Sequence, residues 1–284
     1  MTSPPRLSVT LLYVPGDRPD RVKKALASDA DVVIIDLEDS VPPEAKAAAR
    51  MALRDLTGDP NRAVQVRVNP LDTAWGREDL IAVRALPAHV DVRLPKVESP
   101  SAVWDVVALL AGGTHRRLHV LLESALGVER AFEIAGADPS MVSIGLGEED
   151  LRSDLGVTDD VGLAWARGRV VVAARAAGLS PPAQSVYTTL HDDEGLAAST
   201  RAARQTGFVG RCAIHPSQLP IIRTAFRPDP AEVTRARDLL DRMRAARTAG
   251  QATYVLEDGT FVDHARVGAA ERVLALAQAT VDRI

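Results

Sequence analysis

Short apolar runs alternate with longer amphipathic segments along most of the chain. Several of these runs are rich in Val and Ile and lack a strict alternation of polar and apolar positions, which is typical of strands buried on both faces. The pattern predicts eight strands. They are Val9–Val14, Val32–Leu37, Ala63–Val68, Val90–Leu94, Leu118–Leu122, Met141–Ile144, Pro181–Val186 and Val209–Ile214.

Helical patterns separate the predicted strands. They include Asp20–Ala27, Glu44–Leu56, Ser101–Leu110 after a proline, and Val161–Ala177, which Gly178 would end. Strands that alternate with helices indicate a parallel α/β fold. Eight such units within residues 1–227 favour a closed (β/α)8 TIM barrel over its competitor, an open doubly wound sheet.

The last part of the chain, residues 228–284, does not continue this alternation. Its pattern predicts a helix over Pro230–Ala249, a hairpin over Gly250–Val262 with Asp258-Gly259 as its turn, and a helix over Ala265–Ile284. We therefore expect a C-terminal extension of two helices and a hairpin. It would cap the barrel as a lid or contact a neighbouring subunit.

Composition and charge exclude some classes of partner. The chain has 284 residues, 46% of them hydrophobic, and a formal net charge of −4, so nothing indicates binding to nucleic acid or to an anionic membrane. Neither a signal peptide nor an apolar run long enough to span a bilayer is apparent, which makes a cytoplasmic protein the default expectation. The single cysteine, Cys212, allows no internal disulfide.

Polar side chains gather where the predicted strands end. In a barrel these ends share one face, where barrel enzymes carry out their chemistry. The residues concerned are Tyr13 and Pro15, Asp36, Glu38 and Asp39, Arg67 and Asn69, Lys96, Glu123, Gly147 to Asp150, and His215. We expect the active site among them.

Two of these carboxylates, Glu123 and Asp150, come from adjacent strand ends. Mg²⁺ is commonly held by one or two carboxylates together with water and substrate oxygens, so the pair suits this cation. The alternative is that each carboxylate caps a helix, which Asp150 suits better than Glu123. The turn from Gly145 through Gly147 either presents backbone amides to an anion or is a plain tight turn.

The remaining charged strand ends allow more than one interpretation. Arg67 can fork onto a substrate carboxylate or pair with Asp36 or Glu38, and both contacts can coexist. We favour Asp36 and Glu38 as supports for Arg67 and for metal-bound water. Lys96 is the one lysine at a strand end, where an ion pair is favoured over a Schiff base.

The motifs taken together resemble the citrate lyase beta-subunit-like branch of the HpcH/HpaI aldolase/citrate lyase family, a group of Mg²⁺-dependent barrels. The resemblance covers essentially the whole chain in the expected order. It is carried by Leu12-Tyr-Val-Pro-Gly-Asp-Arg18, Ile35-Asp-Leu-Glu-Asp-Ser-Val-Pro42, Val66-Arg-Val-Asn69, Leu94-Pro-Lys96, Glu123-Ser-Ala125 with Gly127, Gly147-Glu-Glu-Asp-Leu151, Gly207-Phe208 with Gly210, and Ile214-His-Pro216 with Gln218.

This resemblance implies a role for each residue set. Mg²⁺ would be held by Glu123 and Asp150, and Arg67 would polarise the acyl or keto oxygens. The keto-acid carboxylate would meet the amides of Gly147, Glu148 and Glu149. The implied contacts to coenzyme A involve Tyr13, Pro15, Arg18 and Lys23.

The resemblance also implies a reaction. The chain would be a carbon–carbon lyase that cleaves or forms a 3-hydroxy acyl-CoA thioester, such as malyl-, citramalyl- or citryl-CoA, yielding an acetyl thioester and a 2-keto acid such as oxaloacetate. Asp263, in a segment similar to the family's lid, would be the acid–base residue in a neighbouring subunit's site, and the implied assembly is a homotrimer. A Schiff-base aldolase using Lys96 and a carrier-dependent beta subunit of a multisubunit citrate lyase stay open as alternatives.

Overall fold

A single parallel sheet forms the centre of the molecule, in a computed structural model that describes residues 7–56, 59, 62–248, 254–255, 261–262 and 264–281. Its strands occur in the order β6-β5-β4-β3-β2-β1-β7, and every neighbouring pair is parallel. The bounds are β1 Thr10–Pro15, β2 Val32–Asp36, β3 Ala63–Arg67, β4 Val90–Leu94, β5 Leu118–Leu122, β6 Met141–Leu146 and β7 Arg211–Ala213. All seven overlap predicted strands.

The eighth predicted strand, Pro181–Val186, is not a regular strand. It makes one isolated bridge, between Gln184 and Arg211. Two consecutive prolines supply no backbone N–H, so they cannot donate to a strand ladder. The segment still bonds to both edges of the sheet, because the Ser180 N–H donates to the Val142 carbonyl of β6 and the Gln184 N–H donates to the Gly210 carbonyl beside β7. The sheet is therefore curled, with this segment between its edges.

Helices follow most of the strands, as the sequence pattern predicts. The segment Glu44–Leu56 is not one continuous helix, because helical turns of the 3₁₀ type, Pro43–Ala45 and Leu53–Asp55, flank its α-helical centre. Gly178 does stand just past a helix end with φ +71°, in the left-handed region that favours glycine. The α-helices are α1 Pro19–Leu26, α2 Lys46–Ala52, α3 Gly76–Arg84, α4 Pro100–Leu110, α5 Ala125–Glu129, α6 Ala131–Ala135, α7 Glu148–Leu155, α8 Ala164–Ala176, α9 Asp193–Gln205, α10 Gln218–Phe226, α11 Pro230–Thr248 and α12 His264–Ala279.

The two faces of the sheet differ in polarity. Successive side chains of a strand point to opposite faces, and on β4 Val90, Val92 and Leu94 join the large core between the sheet and the helices. The intervening Asp91 and Arg93 are also buried, so they point to the concave side. The concave side thus carries charged side chains below the strand ends at which the sequence predicts the active site.

The C-terminal extension packs onto this core. Helices α11 and α12 contact each other, and Leu276 of α12 belongs to the main hydrophobic cluster. Arg204 of α9 pairs with Glu232 of α11 at 2.7 Å, which ties the extension to the preceding helices. The predicted hairpin is present as β8 Tyr254–Val255 paired antiparallel with β9 Phe261–Val262, while its turn residues lie outside the described residues.

Within the described ranges, no helix combines the length and the apolar character needed to cross a bilayer.

Candidate active site

A cavity of about 350 Å³ opens among the carboxyl ends of the strands. It brings together most of the residues that the sequence singles out. Those that line it are Tyr13, Asp36, Asp39, Arg67, Glu123, Gly147, Glu148, Glu149 and Asp150. A neighbouring cavity of about 700 Å³ shares Asp39 with it and is also lined by Glu38 and Lys96.

Glu123 follows β5 and is buried, with 5% of the residue exposed. Its Oε2 atom has no hydrogen-bond partner within the described ranges of the chain, although a buried carboxylate oxygen normally finds one. Burial raises the pKa of its carboxyl to about 8, and the negative charges of Glu38 and Asp150 add to the rise, while Arg67 and Lys96 partly oppose it. The surroundings of Glu123 therefore favour the protonated form of its carboxyl at neutral pH in the metal-free chain.

Gly147 leaves the room that the Glu123 side chain occupies. A Cβ atom at this position would lie 2.6 Å from Cγ and 2.8 Å from Cδ of Glu123, closer than real contacts allow. The Gly147 N–H donates to the carbonyl of Leu122, next to Glu123, at 3.1 Å. A glycine is thus required at position 147, because the Glu123 side chain lies too close to leave space for a Cβ atom.

Asp150 lies in the first turn of α7 and is exposed. The amides of this first turn point out of the helix end, where they and the helix dipole favour an anion. Among the described residues no three His, Cys, Asp or Glu side chains cluster as a complete metal site. Two carboxylates are nevertheless enough for Mg²⁺, which fills its remaining positions with water and substrate oxygens. The unpartnered Oε2 of Glu123 beside Asp150 fits that cation.

Glu148 differs from its neighbours Glu149 and Asp150, because its side chain is buried and both of its carboxylate oxygens accept hydrogen bonds. Arg167 donates to both of its carboxylate oxygens, at 2.9 and 2.6 Å, and Gln184 Nε2 donates to Oε1 at 2.7 Å. Its backbone N–H makes a long contact of 3.4 Å to Ser185 Oγ. Only the backbone of Glu148 is therefore suited to the substrate contact that the resemblance implies.

Arg67 is held by three carboxylates. Its Nε and Nη2 donate to Asp36 at 2.7 Å each, and Nη1 lies 2.8 Å from Glu38 Oε2 and 3.4 Å from Asp39 Oδ2. Burial alone would raise the pKa of Asp36, but the charge and hydrogen bonds of Arg67 outweigh it and hold this pKa below its usual value. For Glu38, burial prevails and raises the pKa despite Arg67 and Lys96. The predicted ion pairs of Arg67 with Asp36 and Glu38 are both present.

Lys96 takes part in the same cluster. Its Nζ lies 2.8 Å from Glu38 Oε1 and 3.5 Å from Asp39 Oδ1. Burial would lower the pKa of Lys96, but the hydrogen bond and charge of Glu38 outweigh it and raise the pKa above its ordinary value. A Schiff-base lysine needs a lowered pKa to be nucleophilic, so the geometry favours the ion pair over the Schiff base.

The four residues assigned to coenzyme A are dispersed. The Tyr13 ring lines the cavity, with the Arg67 guanidinium 5.1 Å from its centroid, and burial raises the pKa of the Tyr13 hydroxyl above its usual value. Pro15 ends β1, whereas Arg18 and Lys23 are exposed at or on α1. Neither Arg18 nor Lys23 lines the cavity, so any contact they make lies outside it.

Asp263, the predicted acid–base residue, lies outside the described residues. Arg93, which the strand-end pattern missed, lines the cavity from β4. The sequence does carry a signal for it, since an arginine alternates there with Val92 and Leu94 in a buried strand.

The family model for HpcH/HpaI aldolase/citrate lyase matches residues 9–216 of the chain. The chain belongs to this family. The prediction from the sequence motifs is thereby confirmed, as is the prediction of a carbon–carbon lyase at the level of the family.

Relatives and solved structures show which members of the family this chain is similar to. The chain is 36% identical to a (3S)-malyl-CoA thioesterase of Cereibacter sphaeroides over 95% of this chain and 94% of that protein. It is 34% identical to the citrate lyase subunit beta of Leuconostoc mesenteroides subsp. cremoris over 96% and 94%. Its fold is similar to that of CitE from Mycobacterium tuberculosis, solved with magnesium, acetoacetate and coenzyme A, with a TM-score of 0.79, 37% identity and 96% and 98% coverage. The sequence therefore aligns over nearly its full length with a malyl-CoA thioesterase, a citrate lyase beta subunit and a CitE protein that binds coenzyme A.

Proposed function

We propose that the chain is a Mg²⁺-dependent lyase that cleaves or forms a 3-hydroxy acyl-CoA thioester, with an acetyl thioester and a 2-keto acid as the other partners of the reaction. The observation that carries this proposal is the buried Oε2 of Glu123, which has no hydrogen-bond partner among the described residues and belongs to a side chain that lines the same cavity as Asp150. CitE of M. tuberculosis, similar over 96% of this chain, was solved with magnesium and a keto acid. Malyl-CoA/beta-methylmalyl-CoA lyase of Rhodobacter capsulatus is 32% identical over 97% of this chain.

Different residues of the cavity would have different roles in the reaction. Glu123 and Asp150 would hold Mg²⁺, which when bound supplies Lewis-acid stabilisation of negative oxygen in the substrate. The amides at the start of α7 would hold the keto-acid carboxylate. Arg67 would present its guanidinium to the acyl oxygen, exchanging its long 3.4 Å contact with half-exposed Asp39 for that oxygen.

Cleavage requires the hydroxyl to release its proton to water and the adjacent carbon–carbon bond to break, so that the hydroxyl oxygen becomes the carbonyl oxygen of the keto acid. The electron pair of that bond moves to the carbon next to the thioester carbonyl, giving an enolate. Asp263 would return a proton to that carbon, or remove it in the direction of condensation. This role for Asp263 rests on the family resemblance.

We further propose a closed (β/α)8 barrel for residues 1–227, with residues 228–284 as a lid over the site of a neighbouring subunit in a homotrimer. The segment hydrogen-bonded to β6 and β7 supports the closure. Mixed oligomers test the shared site: combining inactive Asp263→Ala and Glu123→Gln chains should restore activity, because some sites then receive both intact residues. No restoration in verified mixed oligomers would contradict the lid proposal.

The exposed cations Arg18 and Lys23 are proposed to meet the phosphates of coenzyme A. Replacing both with alanine should raise KM for a coenzyme A thioester while leaving KM for the matching pantetheine thioester unchanged, because pantetheine lacks the distal phosphates. Equal KM effects on both thioesters would remove these residues from phosphate binding. We also propose a cytoplasmic location, on the basis of the coenzyme A substrate.

The direct test of the function is a panel of malyl-, citramalyl- and citryl-CoA, each assayed with Mg²⁺ and with EDTA. The proposal expects one thioester to give a keto acid and acetyl-CoA with Mg²⁺ only. Undiminished turnover in EDTA would exclude the metal, and release of free thiol without acetyl-CoA would indicate a thioesterase, the activity by which one relative is named. Borohydride trapping with pyruvate should leave no adduct on Lys96, and an adduct would revive the Schiff-base alternative.

If the purified chain turns over none of the free coenzyme A thioesters but does act on a carrier-bound one, it is a carrier-dependent beta subunit instead.

A further inference from the structure

Arg93 is a buried cation that has no ionic partner. It extends from β4 into the concave side of the sheet, and the residue is 5% exposed. Its Nε donates to the neutral Gln65 Oε1 at 2.9 Å, and the Tyr13 ring centroid lies 5.9 Å from the guanidinium. No ion pair to Arg93 occurs in the part of the chain that the structure describes. A buried charge without a counter-charge is costly, and proteins normally pair it.

Two candidate anionic partners of Arg93 are engaged elsewhere. Asp91, two residues earlier on the same face, binds Arg117 at 3.0 and 2.8 Å and His119 Nε2 at 3.2 Å. Asp36 is bound at both oxygens by Arg67. Glu123 lines the same cavity, but neither it nor any other described carboxylate forms an ion pair with Arg93. Among the described residues, Arg93 is thus a cation of the cavity wall that lacks a paired anion.

The free end of Arg93 adjoins the cavity. Both terminal nitrogens, Nη1 and Nη2, lack a hydrogen-bond acceptor among the described residues, and the residue lines the cavity. The cavity walls near Arg93 include Leu121 and Cys212, which offer no negative charge, since burial raises the pKa of the Cys212 thiol. An anion that enters the cavity would therefore find two N–H groups in fork geometry.

We propose that Arg93 binds a second carboxylate on the keto-acid half of the substrate, so that this chain prefers 2-keto dicarboxylates to 2-keto monocarboxylates. This inference rests on the proposed function, because the first carboxylate and the keto oxygen would occupy the Glu123–Asp150 end of the cavity. A guanidinium fork matches a carboxylate in shape as well as charge. The corresponding thioester carries an additional carboxylate beyond its hydroxyl-bearing carbon, as citryl-CoA does.

Stable hydroxy acids test the preference without turnover. Calorimetric titration in Mg²⁺ would compare malate, which has the second carboxylate, with lactate, which has only one. The intact chain should bind malate about 10- to 100-fold more tightly, the range expected for a hydrogen-bonded charge pair. Arg93→Gln should abolish that preference while leaving lactate affinity unchanged, and Arg93→Lys should restore part of it.

Arg211→Gln is the matched control. Arg211 is also a buried strand arginine, bound to neutral hydroxyls and 5.4 Å from the ring centroid of Tyr187, but it does not line the cavity. The Arg211→Gln variant should keep the preference for malate over lactate, and thermal melting would confirm that all variants are folded.

The outcomes separate this inference from the proposed function. Mg²⁺-dependent lactate binding without a preference for malate, or a preference that survives Arg93→Gln, overturns the role of Arg93 alone. An equal loss of affinity for both acids would assign Arg93 to a group that they share and also overturn it. If neither acid binds in a Mg²⁺-dependent manner, the proposed function itself fails.

Discussion

The unpartnered carboxyl of Glu123 should make the stability of the metal-free chain fall as the pH rises. Its pKa in the folded chain is about 8, against an ordinary value of 4.5. Between these two values the folded chain keeps a proton that the unfolded chain has lost. The stabilising contribution is therefore complete below pH 4.5 and is lost as the pH rises through 8.

The size of the effect follows from the two pKa values. At about 1.4 kcal/mol for each pKa unit, the full loss is on the order of 5 kcal/mol. Between pH 6 and pH 8.5 the loss should be about 2 to 3 kcal/mol. Glu123→Gln cannot ionise, so the free energy of unfolding of the intact chain should fall by that amount relative to this variant.

Urea unfolding in EDTA at a series of pH values measures this difference. Glu133→Gln, which changes an exposed carboxyl of α6, is the control for general effects of pH. Excess Mg²⁺ should remove the pH dependence, because the cation stabilises the ionised carboxylate and displaces its proton. A free-energy difference between the intact chain and Glu123→Gln that stays constant from pH 6 to pH 8.5 in EDTA would refute the reasoning.

Three other predictions concern the cavity wall. Arg67→Gln leaves the buried carboxylates of Asp36 and Glu38 without their cation, so the free energy of unfolding in urea should fall by about 3 to 5 kcal/mol. The control Arg244→Gln breaks an exposed ion pair and should lower it by under about 1 kcal/mol; equal losses in the two variants would contradict the argument. Gly147→Ala should lower Mg²⁺ affinity about tenfold or more in calorimetric titration, because the added Cβ displaces the Glu123 side chain; unchanged affinity would show that this contact is not required. Glu148→Gln should destabilise the fold by about 3 kcal/mol through loss of its pair with Arg167 but leave Mg²⁺ affinity intact, and the reverse result would make its carboxylate a ligand.

Local pattern was enough to predict most of the architecture. Seven predicted strands overlap the observed ones, because a strand buried on both faces must be a short, nearly continuous apolar run. The prediction failed at Pro181–Val186 because apolar character alone does not reveal that two prolines cannot donate to a ladder. A helix end that is caused by a single residue could also be predicted from the sequence, as Gly178 in the left-handed conformation shows.

The sequence also located the candidate site, since polar residues that end parallel strands must meet at one face of the sheet. It determined the family as well, because the motifs are contiguous and in order. It predicted the pairs of Arg67 with Asp36 and Glu38 only as one of two alternatives, and it did not predict that Arg167 and Gln184 bind Glu148. These contacts depend on distances between elements far apart in the chain.

Only the tertiary structure revealed that, among the described residues, Glu123 has a carboxylate oxygen without a hydrogen-bond partner and Arg93 has no ion pair. A single residue carries its charge in the sequence, but whether that charge is compensated is decided by every element packed around it. Burial and the charges of Glu38 and Asp150 make ionisation of Glu123 unfavourable, and Arg93 is left without a counter-charge because Asp91 is bound elsewhere. The sequence by itself determined most of the sheet, the family and the face that holds the candidate site. The structure decided which charges at that face remain free for a cation and for an anion, because pairing is a property of three-dimensional neighbours.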